Sequence, residues 1–389
     1  MRILHTSDWH LGRSFHRVGM LEHQAAFVDH LLEVVAAEQV DLVVVAGDVY
    51  DRALPHVDAV RLADEALARL AASRARVVLT SGNHDSAQRL GFGSRLIDAA
   101  GVHVRTDASS VGTPVLLEDA HGPVAIHGIP YLDPLALQEP WQLAGRSHGA
   151  ALAEAMRRVR VDLAARPMRS VVVAHAFVAG GLPSDSERDI SVGGVSVVPS
   201  ALFDDISYTA LGHLHGRAVL GEAVRYSGSP LAYSFSEAAH TKGCWLVDLG
   251  PDGVASTSFV VAPVPRRLAT LTGDLETLLT DPGLDAVADH WVQVTLTDAV
   301  RPEQPMERLR ARFPHALVLA FAPTGEPAAG LLAASRAGRS DHQVALDFVQ
   351  EMRGAPATDA ESALLLTACD ACEDDPDADV LITAEAGAG

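Results

Sequence analysis

The chain has 389 residues, 48% of them hydrophobic and 21% charged, with a formal net charge of −20. That is enough apolar side chain for one large folded domain with one or two smaller additions, and it excludes a disordered chain. Three cysteines are too few for a disulfide framework at this length, which fits a reducing compartment.

The longest apolar runs, 42–46 and 170–174, have the length of a buried strand, far short of the ~20 residues of a membrane span. The first eight residues lead into a polar motif with no apolar leader, so no membrane segment and a cytoplasmic location are expected. An acidic balance argues against a nucleic-acid partner. However, residues 341–389 hold twelve acidic residues against one arginine, leaving −9 for the rest of the chain. Bound metal would neutralise more of it.

In chain order, residues 3–6, 42–46, 77–80, 124–127, 170–174 and 208–211 read as buried strands bounded by turn residues. Residues 20–38, 56–72, 86–100 and 148–165 carry apolar side chains at helical spacing. The alternation predicts an α/β domain over 1–262, a class that binds ligands in loops beyond the strand C-termini. Pro263-Val264-Pro265 marks a boundary. Beyond it we expect a small β-α-β-α-β module over 263–322 and a Gly/Ala/Pro/Ser/Arg linker over 323–340. A helical segment over 341–375, with helices at 342–353 and 359–373, and an acidic, disordered tail over 376–389 complete the chain. Cys369 and Cys372 form a CxxC with no second pair, which reads as small residues on a helix rather than a zinc site.

Metal-ligand residue types recur at the strand ends: Asp8 and His10, Asp48, Asn83 and His84, His175, and His213 and His215. In an extended segment residues i and i+2 share a side, so Asp8 with His10, and His213 with His215, can each aim two ligands at one point. Asp48 and Asn83 each follow an apolar strand and a glycine, which permits tight turns and close backbone approach. Any one of these residues, in a chain with 18 histidines, would read as a surface or core side chain; five strand ends repeating the pattern point to chemistry. Asp8, His10, Asp48, Asn83, His175, His213 and His215 make seven donors, too many for one tetrahedral ion and suited to two cations sharing a carboxylate. Such pairs clamp a phosphoryl group and activate water, so phosphoester hydrolysis is the implied reaction. Four imidazoles suit Mn, Fe, Co or Zn better than Mg.

Asp8-x-His10, Gly47-Asp48-x-x-Asp51, Gly82-Asn83-His84-Asp85, His175 and Gly212-His213-x-His215 resemble the five motifs of the calcineurin-like metallophosphoesterases. The strings HTSDWHLGRSF from His5, SDSERDISVGG from Ser184, ALGHLHG from Ala210 and YSGSPLAYSFSEA from Tyr226 narrow the resemblance to the SbcD family of nuclease subunits, over essentially the whole length.

The resemblance implies a four-layer sandwich of two mixed β-sheets flanked by helices, a small α+β DNA-capping domain and C-terminal helices. It implies one metal held by Asp8, His10, Asp48 and His215 and a second by Asp48, Asn83, His175 and His213, the ions being Mn2+ before Mg2+, Fe, Co or Zn. His84 matches the family's non-ligand histidine, expected to protonate the leaving oxygen or stabilise charge in the transition state. Asp85 fixes that imidazole or caps a helix starting near Ser86, the cap being preferred. Asp51 stands where archaeal and eukaryotic relatives carry histidine and is expected to orient His84 or a loop. Arg13, Arg89 and Arg188, beside the motifs, and Arg308, Arg310 and Arg312 in the small module are candidate DNA phosphate contacts.

The implied partners are DNA, a coiled-coil ATPase of the SbcC type bound by the terminal helices, and a second copy meeting it through 56–72 and 86–100, giving a heterotetramer. The implied activity is double-strand exonuclease and single-strand or hairpin endonuclease. A small-molecule phosphodiesterase or phosphatase with the same centre is the alternative, and the extension beyond residue 263 speaks against it. A non-catalytic scaffold is a third reading, and the complete donor set speaks against that.

Overall fold

In the computed structural model, which describes residues 1–187, 197–323 and 339–373, a period of two along the buried strands sorts the core into layers. The first sheet contains β1 (Arg2–Thr6), β2 (Leu42–Ala46) and β3 (Arg76–Thr80), mutually parallel, with Val102–Arg105 parallel beyond β3. Gly243–Gly250 pairs antiparallel with β1 and Gly253–Val261 lies outside it. The second sheet runs Gly122–Ile129, β4 (Arg169–His175), β5 (Tyr208–Gly212) and Val224–Tyr226 in parallel. Val115–Asp119 and Ala218–Val219 form its antiparallel edges.

Ile3, Leu42, Val44 and Val78 turn inward against Val124, Ile126, Val171, Val173 and Ala210 of the second sheet. The alternate residues Leu4, Val43, Val45, Val77 and Leu79 turn outward against helices α1 (Leu21–Ala37) and α2 (Val57–Ala71). Val172, Ala174 and Leu211 face α3 (His148–Ala165). The layers are therefore helix, sheet, sheet, helix, as the resemblance implied. Each buried Val or Leu contributes roughly 1.5–3 kcal/mol.

His5 is a polar residue between the sheets, with Nδ1 2.8 Å from the Tyr208 hydroxyl and Nε2 3.1 Å from the Leu211 carbonyl oxygen. Burial pushes its pKa down to about 3. The unfolded chain therefore binds a proton that the folded chain refuses. The His5 contribution to stability is complete above pH 6.5 and is lost as pH falls toward 3, at about 1.4 kcal/mol per pH unit. Thermal melts of metal-stripped protein at pH 7.5 and pH 5 should show a loss that shrinks by about 2 kcal/mol in His5→Gln. An equal loss in both proteins would contradict this.

The 86–100 segment departs from its expected single helix. It forms short helices Ala87–Leu90 and Ser94–Ile97 and a 3-10 turn Asp98–Ala100, interrupted at Gly93, which takes φ 75°. Phe92 and Leu96 are left exposed.

Beyond residue 263, Leu268–Gly273, Trp291–Leu296 and Ala316–Phe321 form a three-stranded sheet in that order, with helices Leu275–Thr280 and Pro305–Arg312 between the strands. Two compact units are present: Met1–Thr272 with Leu278–Val294 and Met306–Ala320, and Gly273–Thr277 with Thr295–Pro305 and the chain from Phe321. In the second unit, Asp341–Arg353 and Asp359–Glu373 pack as a helical hairpin, turned at Gly354 and tied by the Arg353–Glu361 ion pair at 2.7 Å. The expected linker, apart from its ends, and the 376–389 tail lie outside the described residues. Among the described residues no helix is long and apolar enough to cross a membrane.

Candidate metal centre

The loops after β1, β2, β3, β4 and β5 meet at one edge of the two sheets. The Asp8 N–H donates to the Gly47 carbonyl at 3.1 Å and the His10 N–H to the Asp48 carbonyl at 3.0 Å, locking two loops together. Space here is scarce: a Cβ on Gly82 would stand 2.1 Å from Asp48 Oδ1, and one on Gly47 2.4 Å from His175 Nδ1. Asp8, His10, Asp48 and His213 take φ of 53°, 46°, 49° and 109°. Convergence of Asp8 with His10 therefore comes from left-handed turns rather than the extended spacing expected from sequence. Such backbone costs about 1–3 kcal/mol per residue and persists where the surroundings fix it.

The structure gathers all seven donors. His10 Nε2 and His215 Nε2 face each other at 3.0 Å. His175 Nε2 lies 2.9 Å, and His213 Nδ1 3.2 Å, from Asn83 Oδ1. Asp48 Oδ2 sits between the two groups, 3.7 Å from His10 Nε2 and 3.6 Å from His175 Nε2. Its Oδ1 accepts the His84 N–H at 2.9 Å. Asp8 accepts the His213 N–H at 3.1 Å and the Ser7 hydroxyl proton at 2.5 Å. Three sets, Asp8/His10/His215, His10/Asp48/His84 and Asp8/Asp48/His175, each keep their ligand atoms within 4.8 Å of one another.

The donor chemistry fits divalent cations. Burial drives His10 and His213 well below the usual imidazole range and lowers His175, so all three present lone pairs at neutral pH. The His175 Nδ1, 2.9 Å from the Ala46 carbonyl oxygen, is its protonated nitrogen, leaving Nε2 bare. Burial first, and then the Asp48 charge, push the Asp8 carboxyl well above its usual value. Two buried carboxylates crowded by neutral imidazoles are what a bound cation relieves.

His84 lies at the rim of this group, its ring centroid 4.7 Å from that of His10, with Nδ1 2.7 Å from the Asp51 carbonyl oxygen. It is thus the Asp51 backbone that orients His84. The Asp51 carboxylate lies 3.8 Å from His10 Nδ1 and 3.6 Å from Arg13 Nε. Asp85 neither caps a helix nor touches the imidazole. It accepts the Val49, Tyr50 and Gly82 N–H groups at 3.1, 2.9 and 2.9 Å, bracing the loops after β2 and β3, while Ser86 caps the helix. Arg13 is tied to the Ser186 carbonyl at 2.8 Å and lies 5.1 Å from the Tyr233 ring centroid. Arg89 reaches the Ala53 carbonyl at 3.0 Å and is exposed. Arg310 and Arg312 bond to the Ala316 and Leu278 carbonyls. Arg188 lies outside the described residues.

Sequence reasoning missed the supports behind the ligands. Gln24, buried on α1, donates to the His10 carbonyl at 2.8 Å and to the Tyr233 hydroxyl at 2.9 Å, and Tyr233 donates to the Trp9 carbonyl at 2.6 Å. Glu187 accepts the His215 N–H at 2.6 Å. Ser186, Glu237 and Lys242 stand behind the His215 ring. A glutamine on the apolar face of α1 was the available signal for Gln24. Glu237 lies in the string from Tyr226, which marks the family without giving it a role, and Lys242 carries no local signal, since a nearby acid and lysine usually mark solvent.

The sequence profile of the Calcineurin-like phosphoesterase family matches residues 1–216, a segment that holds all seven donors and His84. The chain belongs to the calcineurin-like phosphoesterase family. Within that family, a second profile, SbcD_C, described as Type 5 capsule protein repressor C-terminal domain, matches residues 264–353. Together the two matches support an SbcD-type metallophosphoesterase. Solved structures to which this phosphoesterase is similar include TT1561 of Thermus thermophilus, with 14% identity over 66% of this chain and 98% of that one and a TM-score of 0.39. A dimetal phosphatase from Danio rerio shows 14% identity over 68% and 99%, with a TM-score of 0.40. The phosphoesterase YfkN from Bacillus subtilis shows 13% identity over 67% and 90%, with a TM-score of 0.34. The family and the His/Asp cluster support a divalent dimetal centre in a metal-dependent phosphoesterase.

Proposed function

We propose that this protein is a DNA nuclease, acting as an exonuclease on duplex ends and an endonuclease on single-stranded and hairpin DNA, in DNA end processing, repair and recombination. It works in the cytoplasm with an SbcC-type ATPase. One ion would be held by Asp8, His10, Asp48 and His215, and the other by Asp48, Asn83, His175 and His213. The observation that carries the two-ion reading is Asp48 Oδ2, 3.7 and 3.6 Å from the two imidazole groups. When bound, two divalent ions, manganese in this reading, polarise the phosphodiester and supply a water of lowered pKa.

The chain's own residues do the rest. Asp48 Oδ1 holds the His84 backbone. The Asp51 carbonyl accepts the Nδ1 proton of His84 and fixes its ring, leaving Nε2 as the nitrogen that meets the leaving oxygen. Arg89 serves as a phosphate contact, and Arg13 positions the loop it is bonded to.

Exposed Phe348, Met352, Leu364 and Leu366 on the C-terminal hairpin give a coiled-coil partner its apolar seat. Leu54, Val57, Val60, Phe92 and Leu96 give a second copy of the chain another. One experiment tests the substrate. The protein, alone and with its ATPase and ATP, is incubated with end-labelled linear and hairpin DNA in Mn2+, Mg2+ or chelator, beside bis-p-nitrophenyl phosphate. Mn2+-dependent cleavage of DNA is expected. Hydrolysis of the small diester alone under every condition would make the protein a small-molecule phosphodiesterase.

A further inference from the structure

The His215 imidazole is backed by a buried relay. Ser186 Oγ lies 2.5 Å from His215 Nδ1 and 2.5 Å from Glu237 Oε1. Glu237 Oε2 is ion-paired with Lys242, whose ammonium also reaches the His215 carbonyl at 2.8 Å and Ser229 Oγ at 2.9 Å. Glu237 is 1% and Lys242 6% exposed.

A hydroxyl has one proton to give. The carboxylate of Glu237, held charged by the ammonium, can only accept, so the Ser186 proton goes to Glu237. Ser186 Oγ must then accept from His215 Nδ1–H, which leaves Nε2 bare and aimed at His10 Nε2, 3.0 Å away. His10 lacks such a relay: its Nδ1 has no hydrogen-bond partner, and the Asp51 carboxylate stands 3.8 Å off. Of the two imidazoles that face each other, only His215 has its tautomer fixed from behind.

We propose that Glu237, held by Lys242 and acting through Ser186, is the positioning residue that sets the His215 tautomer and makes the metal position shared with His10 tight. This inference rests on the two-metal reading above. The test titrates full-length, metal-stripped protein with Mn2+ alone by calorimetry and follows dinuclear coupling by electron paramagnetic resonance.

Wild type should take up two ions. Failure to do so overturns the two-metal reading and this inference with it. In Glu237→Gln, one binding step should weaken roughly 10–100-fold while the other is unchanged, and the coupled signal should give way to isolated Mn2+ below saturation. Two ions bound as tightly as in wild type would overturn the inference alone. Should Glu237→Gln leave Lys242 unpaired and the chain unfolded, Ser186 decides. Ser186→Ala should lose the same step and Ser186→Thr, which keeps the hydroxyl, should retain it; equal affinity in the two overturns the proposal.

Discussion

Replacing Asp48 with alanine is expected to abolish phosphodiester hydrolysis and to remove both metal positions together. The carboxylate divides its work: Oδ1 accepts the His84 N–H at 2.9 Å, and Oδ2 lies within 3.7 Å of His10 Nε2 and 3.6 Å of His175 Nε2. No other donor among the described residues faces both imidazole groups this closely, so either ion would lose its shared oxygen and the anion that offsets its charge. Two-metal stabilisation of the transition state is worth several kcal/mol, and a loss of about 5 kcal/mol is on the order of 10^4-fold in rate.

The metal-free variant should melt close to wild type, since the lost acceptor of the buried His84 N–H is offset by a relieved repulsion. Asp8 is held up by burial and then by the Asp48 charge, so deleting that charge removes a repulsion. What disappears is the ligand-linked stabilisation, about 2.7 kcal/mol per site at a hundredfold excess over Kd. Calorimetry and melts with and without Mn2+ check both statements. One tightly bound ion with activity intact would contradict the bridging role.

His84→Ala is expected to lower DNA cleavage by roughly 10^2 to 10^4-fold with both ions still bound. Its Nδ1 is occupied by the Asp51 carbonyl, and its ligand atom falls within the same 4.8 Å set as His10 and Asp48. The leaving group therefore separates the roles. A deoxyribose oxygen needs a proton, whereas p-nitrophenolate leaves without one, so the variant should keep far more of its activity on bis-p-nitrophenyl phosphate than on DNA. Equal losses on the two substrates, with one ion missing in the titration, would make His84 a ligand.

The sheets are readable in the sequence where both faces are buried. Residues 42–46 form a strand with those bounds because Leu42-Val43-Val44-Val45-Ala46 has apolar packing on either side. The edge strand Gly253–Val261 escapes such a reading because exposed positions interrupt its apolar pattern, and Gly243–Gly250 because glycines bound it and the half-buried Asp248 breaks its apolar run. A single helix over 86–100 is expected from apolar spacing alone, which ignores Gly91, where the first short helix ends, and Gly93, whose left-handed backbone precedes the second.

At the site, the donor types at glycine-bounded strand ends are legible. How Asp8 and His10 come together is not, since left-handed φ at an Asp and a His is fixed by neighbouring loops rather than local preference. Asp85 resembles a cap because it precedes Ser86. Its three N–H donors come partly from residues 49 and 50, which only the tertiary fold delivers.

Lys242 is the only lysine in the sequence, and it is sealed behind His215 in an ion pair with Glu237. The native protein therefore offers no exposed side-chain amine, and reagents that acylate amines will pass over its side chains however dense its surface charge. Modification at Lys242 requires the relay to open. The rate at which the lysine becomes reactive is thus an intrinsic clock for local unfolding next to the metal site, readable by mass spectrometry without an introduced label.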